Sequence, residues 1–120
     1  MHSPEMHSPE ETMHRIDALL SHVWMVRAFL KHSEEAEDDE ELCEVHRSLY
    51  DYMLALGGPL KSGDPEAYLR QAKKKLRKLK AATDLFCEIQ PEISQHTNFQ
   101  MAVHSLTVAV KQIDSLLSDA

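Results

Sequence analysis

The stretch TNFQMAVHSLTVAVKQIDSLL, residues 97–117, carries the clearest fold signal in the chain. Its apolar residues recur every three or four positions, which is the period of an α-helix with one buried face. Thr97 followed by Gln100 has the form of a capping box and predicts the start of this helix. A single helix cannot bury its own apolar face, so other segments must cover it. The stripe consists of Phe99, Ala102, Leu106, Ala109, Val110, Ile113 and Leu117.

Three other segments show the same period, and each is bounded by residues that start or stop helices. Ser8-Pro9-Glu10-Glu11 combines an N-cap, a proline at the first helical position and a capping-box glutamate. Asp64-Pro65 predicts another helix start. Gly57-Gly58-Pro59 and Pro91 are expected to end the helices that precede them. The predicted helices are 9–32, 37–56, 65–90 and 98–118.

Four amphipathic helices with short connections predict an all-α fold, an antiparallel up-down four-helix bundle. The 120 residues suffice for one domain, which we expect to span 8–120. The chain opens with Met-His-Ser-Pro-Glu written twice, and only the second copy is followed by the glutamate that completes a cap. Residues 1–7 are therefore predicted to be a disordered tail, with Met6 as an alternative start.

Composition limits the classes of function. The net charge of −7 disfavours general attraction to nucleic acid or to an anionic membrane surface. No apolar run approaches the roughly 20 residues that span a bilayer, and the first residues do not resemble a secretory signal. The two cysteines do not have a metal-binding spacing. We expect a cytoplasmic protein without a cofactor or metal, and no small-molecule substrate is identifiable.

Charge is unevenly distributed along the chain. Between positions 34 and 44 eight of eleven residues are acidic, and between 70 and 80 seven of eleven are basic. The basic residues lie opposite the apolar stripe of their helix, and they are not interleaved with aromatic residues that would stack on bases. We interpret both segments as solvated faces, with Glu40, Glu41 and Glu44 pairing with the 76–80 segment.

Arg27 is the most unusual polar residue, because it falls within the apolar stripe of the first helix. An arginine in this position needs a partner. Asp114 and Glu41 are the candidate carboxylates, and Trp24 is a candidate to cover the guanidinium. The residue is expected to form either a structural ion pair or an anion-binding site.

Two short motifs resemble those of known families of helical proteins. Arg27-Ala-Phe-Leu-Lys-His32 resembles the Arg-x4-His motif of the HEPN family of all-α ribonucleases, which implies a catalytic Arg27 and His32. On one continuous helix these two side chains point about 140° apart.

His104-Ser-Leu-Thr-Val resembles the His-x-Leu-Lys-Gly core of histidine phosphotransfer domains, which implies phosphorylation of His104. Thr107 and Val108 replace the lysine and glycine of that core.

The remaining polar candidates are weaker. Glu11-Thr-Met-His14 is the only Glu-x-x-His motif, and a di-iron bundle needs two, so no metal site is predicted. His46 is expected to be a half-buried hydrogen-bonding residue near Tyr50. His96 and Asn98 form a polar cluster at one end of the bundle, with a turn-stabilising role as the alternative to a site.

Apolar residues outside the main stripes supply the leading functional hypothesis. A monomeric bundle does not need a second apolar face on its helices, and exposed apolar patches usually mark protein contacts. We therefore predict a non-catalytic protein-protein interaction module that binds a protein partner or self-associates, through the first two predicted helices. A phosphotransfer domain and a ribonuclease remain the alternatives. The residues concerned are Met25, Phe29, Tyr50, Leu54, Leu85, Ile89, Met101 and Val108.

Overall fold

A computed structural model describes residues 8–119, and the predicted tail at 1–7 lies outside them. Helices make up all the regular structure of the described residues, and the predicted all-α four-helix bundle is confirmed. Four of the helices are long, and a four-residue helix lies between the first and second of these. Their bounds are α1 Pro9–Lys31, α2 Glu35–Asp38, α3 Glu40–Ser62, α4 Pro65–Ile93 and α5 Thr97–Ser118.

The four long helices form a closed ring in which each packs mainly against two neighbours. α1 packs against α3 and α5, α4 packs against the same two helices from the other side, and α1 and α4 also touch each other. The Tyr52 hydroxyl donates to the carbonyl of Ala72 at 3.0 Å, which fixes the level of α3 against α4. The bundle measures 50 × 29 × 19 Å. In the part of the chain that the structure describes, no helix is long and apolar enough to cross a bilayer.

Helix α1 begins as the sequence predicts. The Ser8 hydroxyl accepts from the Glu11 amide at 3.1 Å, and the Glu11 carboxylate accepts from the Ser8 amide at 3.1 Å. This reciprocal cap satisfies two amides that the first helical turn leaves without carbonyl partners. Asp64 caps α4 in a similar way, accepting from the Ala67 amide at 3.1 Å.

The predicted capping box at the start of α5 is wrong. The N-cap is His96, whose ring Nδ1 accepts from the Asn98 amide at 3.0 Å, and Thr97 is already helical. A histidine ring nitrogen can take the place of the usual hydroxyl or carboxylate oxygen because both present a lone pair to the amide. This hydrogen bond supports the turn-stabilising role as the alternative for His96.

Proline does not end α3 or α4 where the sequence pattern suggests. α3 continues through Gly57-Gly58-Pro59 to Ser62, because Leu60 extends its apolar stripe and packs against the core. The helix ends at Gly63, with φ at 67°, a left-handed conformation that glycine adopts without a Cβ clash. α4 similarly runs through Pro91 to Ile93, and each proline lies close to the end of its helix.

The acidic junction is folded rather than extended. Residues Glu35–Asp38 form the short helix α2, and its Ala36 is buried against the core. The second long helix starts at Glu40 instead of residue 37, because the Asp39 carboxylate accepts from the Leu42 amide at 2.8 Å and caps it. The acidic residues before and at this start suit the positive end of the α3 dipole.

Two buried tyrosines give opposite predictions for the same substitution. Tyr52 uses its hydroxyl as a hydrogen-bond donor, whereas the enclosed hydroxyl of Tyr68 has no partner among residues 8–119. We predict that Tyr52→Phe lowers the free energy of unfolding by about 1 kcal/mol, and that Tyr68→Phe leaves it unchanged or raises it. Urea unfolding followed by circular dichroism measures both. A larger loss for Tyr68→Phe than for Tyr52→Phe would contradict the assignment.

Candidate functional site

Arg27 lies between two aromatic rings on the outer side of the α1–α3 seam. Its guanidinium carbon is 4.6 Å from the centre of the Tyr50 ring and 5.0 Å from that of Trp24, both within the range of cation–π attraction. The guanidinium Nε is enclosed and makes no hydrogen bond within residues 8–119. The terminal nitrogens are not enclosed in this way. The side chain is therefore held in place while its outer edge stays available to an acceptor.

Helical geometry explains this stack. Trp24 and Arg27 are three residues apart and so lie on one face of α1. Tyr50 comes from the antiparallel helix α3 at the same level. Trp24 is 48% exposed and Tyr50 is 39% exposed, so the two rings cover the guanidinium and still present their outer faces to solvent.

The two carboxylates predicted to pair with Arg27 do not do so. Asp114 binds Lys80 at 3.0 Å, joining α5 to α4. His22 is level with Ser105, at 3.4 Å, which puts Asp114 about 20 Å along the bundle from Arg27 at 1.5 Å per residue. Glu41 is exposed on α3, about 13 Å along the helix from the level of Tyr50.

A shallow groove of about 300 Å³ adjoins the stack along the same seam. Apart from the neighbouring residues and backbone of its own helix, no atom lies within 4 Å of where a Cβ would stand at Gly57, so the groove is open there. Leu54 is not one of the lining residues of the groove, but it lies one helical turn after Tyr50 on α3 and is 63% exposed. We call the stack, the groove and Leu54 together the α1/α3 surface. It comprises Asp17, Leu20, Ser21, Trp24 and Arg27 of α1 with Tyr50, Met53, Leu54, Leu56, Gly57 and Leu60 of α3.

The structure divides the apolar residues that lie outside the predicted stripes into two groups. Phe29 contacts Phe99 edge to face with ring centres 4.9 Å apart, Ile89 is buried, and Leu85 is partly buried against the core. These three belong to the core. The others are exposed on the surface, as Trp24 also is: Met25, Tyr50, Leu54, Met101 and Val108.

His46 lies one turn before Tyr50 on α3, close to a group of cations. The ring is half-buried, and contrary to the sequence expectation no hydrogen bond joins it to another residue in 8–119. Burial lowers the pKa of the His46 imidazole, and the positive charges of Arg47, Arg27 and Lys31 lower it further. Both effects disfavour the charged imidazolium, because the ring is partly desolvated and lies near three positive charges.

The other candidate residues lie apart from the α1/α3 surface. His32 ends α1 and turns back to its own helix, with Nδ1 2.9 Å from the Ala28 carbonyl, so it does not converge with Arg27 within one chain. His104 is exposed on α5. His96 and Asn98 are exposed and are joined by the cap that starts α5.

The charged segments do not neutralise one another as predicted. Within residues 8–119, Glu40, Glu41 and Glu44 make no ion pair with the 76–80 segment, whose Lys80 binds Asp114 instead. The acidic residues line a broad, open depression between α2 and α3. The described residues do not bring three or more histidine, cysteine, aspartate or glutamate side chains together in a way that could hold a metal ion.

Sequence reasoning identified Arg27 and Trp24 but missed the partner that completes the stack. From the sequence, Tyr50 is only an exposed apolar residue near His46 and Gly57 is only part of a helix stop, whereas Asp17 is not singled out. The register between α1 and α3 decides which residue of α3 lies beside Arg27, and this register depends on the length of the connection that contains α2.

No protein-family model matches the chain, and neither do curated proteins or solved structures at a significant level.

The lowered pKa of His46 predicts a pH dependence of stability. Because the unfolded chain holds the His46 proton more tightly than the folded chain, the free energy of unfolding should fall as pH decreases through 6.5 towards the folded-state pKa. His46→Gln should reduce this slope, whereas the exposed His104→Gln should not. Urea unfolding at a series of pH values between 7.5 and about 4.5 provides the measurement. Equal slopes for the wild type and His46→Gln would contradict the prediction.

Proposed function

We propose that this protein is a non-catalytic helical interaction module that self-associates through the α1/α3 surface. The observation that supports it best is the stack of Arg27 between Trp24 and Tyr50 beside an open groove. Tryptophan, tyrosine and arginine are the residue types that contribute most energy to protein interfaces. Here all three lie together on one face, with the two rings exposed and Arg27 partly buried between them.

Exposed apolar area on the same face adds support. Leu54 at 63% exposure has no role in the core, and Trp24 is the only tryptophan of the chain. Removing such side chains from water stabilises an interface by about 25 cal/mol for each Å² of apolar area buried. A second copy presents the same surface, so a two-fold dimer would cover both at once.

The enzyme alternatives have less support. A ribonuclease of the HEPN type would use Arg27 with His32, but aromatic rings cover the first and the second is bonded to its own helix. A phosphotransfer domain would use His104, but Thr107 stands in the place of the lysine of that motif and the exposed Val108 in the place of its glycine. The two cysteines are free thiols, in keeping with the reducing cytoplasm in which we place the module.

Self-association predicts a mass of twice the 13.7 kDa chain at tens of micromolar, measured by light scattering after gel filtration. Leu54→Glu should give the monomer mass, because it puts a charge into the apolar contact. Met101→Glu on α5 is the matched control and should leave the dimer intact, since Met101 is 57% exposed away from the α1/α3 surface. A monomer at every concentration would overturn the proposal. Dissociation by Met101→Glu alone would move the interface to α5.

Trp24 provides an independent optical readout, because it is the only tryptophan and lies on the proposed interface. Its emission should shift to shorter wavelength as the protein concentration rises through the dissociation constant, since the ring then leaves water. Leu54→Glu should abolish the concentration dependence while leaving the circular dichroism spectrum of the helices unchanged. An emission maximum that does not change with concentration in a confirmed dimer would show that the contact lies elsewhere.

A further inference from the structure

Two opposite charges on the α1/α3 surface have no ion-pair partner among residues 8–119. Arg27 makes no ion pair with any residue in 8–119, and the half-buried Asp17, which lines the groove, makes none either. Both lie on the edge of α1 that faces α3. They are ten residues apart in sequence, about 15 Å along the helix, so they cannot bind each other within one molecule.

The spacing of Asp17 and Arg27 along α1 suits a dimer with a two-fold axis. In an isologous dimer, residue i of one copy meets residue j of the other, and residue j meets residue i. Asp17 and Arg27 are equally distant from position 22 of α1. A two-fold axis perpendicular to the helices at this level brings each Arg27 to the Asp17 of the other copy. The same axis passes near the exposed Leu54, because antiparallel α3 has that residue close to the level of position 22.

The shape of the surface agrees with the same axis. The Trp24 and Tyr50 rings are on one side of the midpoint, and the open end of the groove at Gly57 and Leu60 is on the other side. Rotation by 180° puts the protruding rings of each copy over the groove of the other. Each copy thus supplies both the projecting part and the recess.

We propose that Arg27 binds Asp17 of a second copy, so that two symmetric ion pairs flank an apolar centre formed by Leu54 and the aromatic rings. This inference rests on the proposed self-association and specifies its geometry. The Trp24 and Tyr50 rings hold the guanidinium in position before contact, which reduces the entropy lost on binding. Asp17, at the groove, receives the outer edge of the guanidinium of the other copy.

Charge reversal and mixing test the geometry. Asp17→Arg alone puts four arginines at the two contact points, and Arg27→Glu alone puts four carboxylates there. Each variant should raise the dimer dissociation constant about tenfold or more, because both pairs become repulsive. Mixing the two variants should restore association to within about threefold of the wild type, since a heterodimer of one copy of each again has two opposite pairs. Sedimentation velocity with one variant carrying a fluorescent label measures this.

A second pair of variants controls for a general charge effect. Asp84→Arg and Arg70→Glu make the same charge changes at exposed positions of α4, outside the surface. Neither variant should weaken the wild-type dimer by more than about twofold, and mixing them should not strengthen it. Circular dichroism melts of all four variants confirm that each is folded.

The outcomes separate the two proposals. A wild-type chain that is monomeric at every concentration overturns the self-association itself. A dimer that tolerates both reversals, or two weakened variants that do not recover on mixing, overturns the Asp17–Arg27 pairing and leaves the self-association in place. Burial raises the pKa of the Tyr68 hydroxyl, and the nearby charge of Asp17 raises it further. A purely internal role for Asp17 beside Tyr68 would give loss without recovery, because a second chain cannot restore a contact inside the first.

Discussion

Burial of four apolar stripes in one closed ring of helices is the constraint on which the rest of the structure depends. Each long helix packs mainly against two neighbours, and α1 also touches α4, so each stripe must be wide enough to cover both seams. Position 27 falls inside the stripe of α1, and the arginine there has to extend along the seam to bring its charge to the surface. Its stem contributes to packing, and its guanidinium emerges where α1 and α3 meet. The position of the proposed interface therefore follows from how the core closes.

The sequence predicted the helices well because apolar period and N-caps are local signals. The Ser8 and Asp64 caps and the stripe of α5 involve residues within a few positions of one another. The end of α3 was misjudged because glycine and proline lower helix propensity by a few kcal/mol at most, whereas packing of Leu60 against the core is a tertiary effect. The His96 cap was missed because histidine is an uncommon residue at that position.

The unusual position of Arg27 in an apolar stripe could be predicted from the sequence, but its partner on α3 could not. The helical spacing of the apolar residues is enough to place Arg27 in the stripe of α1. Which residues of α3 lie beside it depends on how far the two helices are shifted relative to each other along the bundle axis. α2 occupies part of the connection and shifts α3 relative to a simple hairpin, so that Tyr50 instead of Glu41 arrives at the level of Arg27. A shift of one helical turn is 5.4 Å, enough to exchange one partner for another.

Two copies that each carry a net charge of −7 repel one another at long range, and this limits the kind of dimer that can form. At physiological ionic strength the screening length is about 8 Å, so the distant acidic groups around α2 contribute little at the α1/α3 surface. The groups in direct contact then decide the outcome. On this surface the cation is covered by aromatic rings on both faces and the carboxylate lines an apolar groove, so each is partly desolvated before association and loses less hydration when the two meet. A partner for the proposed interface would have to match the rings, the groove and the charges together, and this supports the proposal of a second copy over an arbitrary acidic protein.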